Sequence, residues 1–171
     1  MTLLSGGEVR VDMTYRLSEA FDGYGRLGDD DTRTPIPIEQ RAFERDAARI
    51  DGMRMLRYSD RTSGSQRVIR TELAFDSLDA FSRWYGAELR YQEGEGLTMP
   101  LARAIATSDP SPLSVIEQDL LSAYTVTLGV TLPEDIDRVN LGSVDSGTAR
   151  LTLPLHEFLA PSADITWEIG L

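Results

Sequence analysis

Between Glu8 and Leu17 every second residue is apolar: Val9, Val11, Met13, Tyr15 and Leu17 alternate with Arg10, Asp12, Thr14 and Arg16. A strand sends successive side chains to opposite faces, so this pattern commits the segment to a sheet with one buried and one wet face. The same period returns from Tyr124 to Leu132, where tyrosine, valine and leucine alternate with threonines. It is the strongest strand signal in the chain.

Further strand signals come in neighbouring pairs. Segments around Met53–Asp60 and Gln66–Phe75 flank a hairpin turn, Thr62-Ser-Gly-Ser65. Glu88 to Arg103 reads as a second hairpin with Glu93-Gly-Glu-Gly96 at its tip. A third pair is expected near Asp137–Leu141 and Thr148–Leu153, turning through Ser143–Gly147, and Ile165–Ile169 closes the chain around Trp167. Helical spacing appears between these pairs. Ile38, Phe43, Ala47 and Ile50 mark a helix ending at Gly52, and Leu78, Phe81, Trp84 and Tyr85 mark a short one capped by Asp76 or Ser77 and stopped by Gly86. A third helix is expected over Leu113–Ala123, after the break Asp109-Pro-Ser-Pro112. Adjacent strand pairs separated by helices predict an α+β fold, with a largely antiparallel (mixed) sheet packed by about three helices on one face. The expected organisation is a disordered tail over residues 1–7, or a remnant of a lipoprotein signal or linker, followed by one domain over 8–171.

Composition limits the chemistry. At 171 residues the chain buries roughly 70% of its unfolded surface, so it needs no disulfide or metal staple. There is no cysteine. All 17 basic residues are arginine and oppose 28 acids, giving a net charge of −11. No stripe of basic residues is visible along the sequence, which argues against nucleic acid, and the net charge repels an anionic membrane on average. With no lysine, Schiff-base chemistry and a phosphate loop ending in lysine are excluded. No run approaches the ~20 apolar residues of a membrane-spanning helix.

The motifs that remain are weak. Gly23-Tyr-Gly-Arg-Leu-Gly28 spells a dinucleotide fingerprint, but Asp29, Asp30 and Asp31 follow where a helix N-terminus should receive the pyrophosphate. The acidic loop 22–31 supplies carboxylates suited to calcium without a calcium loop's spacing, and reads as a solvated loop. His156, the sole histidine, lacks a cysteine or a serine elbow to serve and a second histidine to complete a zinc site. Trp84, Tyr85 and Tyr91 can line a ligand pocket, although aromatics at helical spacing are more often core. The expectation is a non-enzyme with no catalytic or metal residues, no cofactor, and ligand-binding residues that the sequence does not name.

The order of elements resembles the LppM-like domains of actinobacterial lipoproteins. The resemblance is carried by Leu4-Ser-Gly before the strand Glu8–Tyr15, by Leu73-Ala-Phe-Asp-Ser-Leu-Asp-Ala-Phe81, by Thr125-Val-Thr-Leu-Gly-Val-Thr-Leu-Pro133, and by Ile165-Thr-Trp-Glu-Ile169. Gly7 stands where that family carries its lipidated cysteine. The resemblance implies an extracytoplasmic domain associated with an envelope lipid or glycolipid, meeting the membrane only through an N-terminal lipid anchor that this sequence lacks. On that reading a hydrophobic cavity lies between sheet and helices, and arginines grip an anionic head group. The alternative is a protein-interaction or envelope-assembly module using an exposed sheet edge or acidic surface.

Overall fold

A computed structural model of the chain describes residues 1–18, 39–101, 125–154 and 165–171. The first alternating segment is a ten-residue strand, β2 (Val9–Ser18), preceded by a two-residue strand, β1 (Thr2–Leu3). The hairpin expected around Gly64 follows as β3 (Met53–Ser63) and β4 (Gln66–Phe75), with Ser63 paired to Gln66 across a Gly64-Ser65 turn. Gly64 takes the positive φ of 62° that this tight turn requires. The second hairpin forms as β5 (Arg90–Gln92) and β6 (Gly96–Pro100). Later strands are β7 (Thr125–Thr131), β8 (Arg138–Val139), β9 (Ser143–Asp145), β10 (Thr148–Pro154) and β11 (Thr166–Gly170).

Two helices lie among the described residues. In α1 (Gln40–Arg49), Phe43 is the fully buried residue and Gln40 donates to Glu44 at 2.7 Å along the wet side. Helix α2 (Leu78–Tyr85) begins where Ser77 Oγ accepts from the Ala80 amide at 3.1 Å, and ends at Gly86 in the left-handed region. Both helices cover one face of the β3–β4 hairpin. Phe43 meets Tyr58 at a ring separation of 6.1 Å, while Phe75 meets Phe81 at 5.3 Å and Trp84 at 5.6 Å. The helix expected over 113–123 lies outside the described residues, as do the 22–31 loop, Gly23–Gly28 and His156.

The strands form two sheets where one was expected. The larger has the order β3-β4-β2-β1-β7-β10-β9, and the smaller has β5-β6-β11-β8. All pairs are antiparallel except β1 with β7, so the large sheet is mixed. The expected partnership of 137–141 with 148–153 does not form. Instead β10 takes β7 and β9 as neighbours, with β9 lying inside the supposed turn, and β8 joins β11 in the small sheet. Asn140 secures that joint by accepting from the Glu168 amide at 2.8 Å and donating to the Thr166 carbonyl at 2.9 Å.

The beginning of the chain also differs from the disordered tail expected there. Leu3 is buried, Thr2 pairs with Arg10 on one side and Thr131 on the other, and the Met1 amine donates to the Gly129 carbonyl at 2.6 Å. A short apolar segment becomes ordered here because two unpaired sheet edges offer it hydrogen bonds at once. Inward residues from both sheets and both helices join one buried cluster, among them Val9, Phe43, Phe75, Leu97, Val130 and Trp167. The indole of Trp167 donates to the Leu141 carbonyl at 2.9 Å, so its polar atom is satisfied inside that cluster.

Candidate functional site: an arginine-rich sheet face

Directly opposed residues in an antiparallel pair share a face, so register determines what the wet side of β2, β3 and β4 displays. Reading across β3, β4 and β2, the outer rows are Arg54–Ala74–Arg10, Arg57–Glu72–Asp12, Ser59–Arg70–Thr14 and Arg61–Val68–Arg16. Six exposed arginines therefore stand on one face with only two carboxylates, Asp12 and Glu72, among them. By strand geometry the array is roughly 10 Å across and 20 Å long.

Two of the six are partnered at the end nearest β1. Arg10 contacts Glu8 at 3.1 Å and Arg54 contacts Asp76 at 2.8 Å. The guanidinium groups of Arg16, Arg57, Arg61 and Arg70 have no ion-pair or hydrogen-bond partner among the described residues. The opposite face behaves differently. There Arg67 makes a forked contact with Asp60, at 3.0 and 2.6 Å, of the kind that holds a structural pair. Across β1 the wet face continues into threonines, with Thr127–Thr152 and Thr131–Thr148 hydroxyl pairs both at 3.1 Å. The unpaired positive charge thus belongs to the β2–β3–β4 part.

A built irregularity sits at the edge of this face. Between Met55 and Arg57 the register slips, so Leu56 and Arg57 both stand against Glu72. Such a bulge redirects a side chain, and Leu56 is 45% exposed beside the arginines. Thr71, a buried polar residue of the core, stabilises the bulge by donating its hydroxyl to the Arg57 carbonyl at 3.2 Å.

A concavity lies on the small sheet. It encloses about 680 Å³ and has a bare backbone floor at Gly96 and Gly170, with Arg138 lying across Gly170. Its rim offers Arg90, Thr98 and Glu168, but Asn140 is committed to the β11 backbone. Among the described residues no group of three His, Cys, Asp or Glu side chains is placed to hold a metal ion.

The aromatic residues singled out in the sequence are not brought together. Trp84 and Tyr85 belong to the aromatic core, where Trp84 donates to Asp46 at 3.3 Å and Tyr85 to the Pro100 carbonyl at 2.9 Å. Tyr91 sits on the edge strand of the small sheet, its hydroxyl donating to Glu134 at 3.3 Å. Sequence reasoning missed the arginine face. Arg10 and Arg16 were visible on the wet side of β2, but the other four reach that side only through the β4 register and the bulge. Against protein-family models, curated proteins and solved structures alike, the chain finds no match.

Proposed function

We propose that this chain is a non-catalytic, envelope-facing binding domain for an anionic amphiphile, with the arginine face as its working surface. One observation carries the reading: four guanidinium groups stand unpartnered among the described residues on one sheet face, in a chain whose net charge is −11. Like charges gathered on neighbouring strands destabilise the free protein, and an anionic ligand relieves that cost. Guanidinium is the preferred donor for phosphate and carboxylate because its planar fork makes paired hydrogen bonds. The array is spread over three neighbouring strands, which suits several anionic groups side by side better than one enclosed ion. Support for the envelope setting comes from the LppM-like order of elements. The protein-interaction alternative is weaker at the β3 edge, because a bulge and arginines are devices that discourage strand addition.

The test is calorimetric binding of a short-chain phosphatidylglycerol below its micelle-forming concentration, beside the zwitterionic phosphatidylcholine of equal chain length. Binding of the anionic lipid alone is expected. Changing Arg16, Arg57, Arg61 and Arg70 together to Gln should weaken it by about 1 kcal/mol per arginine. Equal binding of both lipids, or binding that survives the four substitutions, would sink the reading.

A further inference from the structure

Resting on that reading, we infer that the arginine face docks on the surface of an anionic bilayer, with Leu56 entering the interface at its edge. The array extends over three neighbouring strands, and among the described residues no element covers it, so it matches a plane of head groups better than a single extracted molecule. Its charge is complementary to an anionic leaflet, while the surrounding chain is acidic and is repelled by it, and this combination orients the molecule with β2, β3 and β4 facing the membrane. Leu56 is one of the few large apolar side chains that the described surface exposes, and it is flanked by Arg54 and Arg57. An apolar group beside cationic ones is the chemistry of interfacial anchoring: the charges bind head groups and the apolar group reaches the acyl boundary. The bulge that carries the exposed Leu56 is held by the buried Thr71 hydroxyl, which donates to the Arg57 carbonyl, so the exposed leucine is a maintained feature. Nucleic acid is the poorer partner, because among the described residues the outer rows of β2, β3 and β4 carry no aromatic side chain to stack a base.

The experiment is flotation of the full chain with three kinds of vesicle: phosphatidylcholine alone, equal parts phosphatidylcholine and phosphatidylglycerol, and the same mixture at high salt. Heparin and duplex DNA serve as soluble polyanions. Wild type should float with the mixed vesicles at low salt only. The four-arginine variant should lose on the order of a hundredfold or more in vesicle affinity. Leu56→Asp should lose roughly tenfold with its unfolding midpoint unchanged, and Leu56→Trp should shift its emission to the blue on binding. Binding of monomeric phosphatidylglycerol without flotation would overturn docking and leave the binding-domain reading standing. Failure to bind either form would overturn both. Heparin or DNA binding as strong as vesicle binding, with Leu56→Asp unaffected, would also overturn docking and assign the face to soluble polyanions.

Discussion

Thr71 and Gly96 show how single atoms support the two outer surfaces. Thr71 is 3% exposed on the inner face of β4, and its hydroxyl donates to the Arg57 carbonyl at the bulge. Thr71→Val keeps the shape and removes that hydrogen bond, leaving a carbonyl short of a donor. It should cost about 1 kcal/mol in urea unfolding. If the bulge depends on this bond, the same variant also weakens anionic-lipid binding, although it touches no arginine. Gly96 presents a backbone constraint. Its φ is +123°, and a Cβ there would fall onto the Ile169 carbonyl oxygen of the neighbouring strand. Gly94, two residues away at φ +76°, opens onto empty space. Gly94→Ala should therefore cost about 1 kcal/mol from backbone conformation alone, and Gly96→Ala at least twice that, because β6 must move away from β11. Equal unfolding midpoints for the two variants would contradict the close approach.

At the scale of elements, β1 is the piece on which the large sheet depends. It is two residues long, yet it lies between β2 and β7 and so connects the arginine-bearing strands to the threonine-bearing ones. Leu3, on its inner side, is 3% exposed. Leu3→Ala should cost roughly 2–5 kcal/mol, and in native-state hydrogen exchange the Thr131 amide, which donates to Met1, should lose protection before the β3–β4 amides do. This element also marks where legibility in the sequence ended. The β3–β4 hairpin, α2 with its Ser77 cap, and the alternating β2 and β7 were readable, because period, turn chemistry and caps are local. Pairing between distant strands is not local: nothing in Thr2-Leu3 names Thr131 as a neighbour, and nothing in Arg138-Val139 names β11 over β10. The candidate site was hidden for the same reason. Arg54, Arg57, Arg61 and Arg70 are scattered among acids along the chain, and only the register of three strands, corrected by one bulge, places them together with Arg10 and Arg16.

For the whole molecule, charge and burial act on stability in separate pH ranges. Near neutrality the arginine face is a region of mutual repulsion, so the four-arginine variant should be at least as stable as wild type while losing its ligand. That outcome would separate a functional surface from a structural one. At high pH the core tyrosines take over. Burial pushes the phenols of Tyr15 and Tyr85 well above the ordinary tyrosine value of 10.0. Below that value both groups are neutral in the folded and unfolded states and do not make stability depend on pH. Above it the unfolded chain releases these protons while the folded chain keeps them, so stability falls as pH rises toward the folded values. Each such group contributes up to about 1.4 kcal/mol per pH unit. Alkaline unfolding should therefore be cooperative, with part of the tyrosinate absorbance appearing only as the far-ultraviolet circular dichroism is lost. Tyr85→Phe forfeits the hydrogen bond to the Pro100 carbonyl and begins from a lower stability, but its stability should decline less steeply above pH 10, because one linked proton has been removed. If the variant and wild type decline with the same slope, Tyr85 already ionises in the folded protein, and the contact joining α2 to the small sheet is open to water.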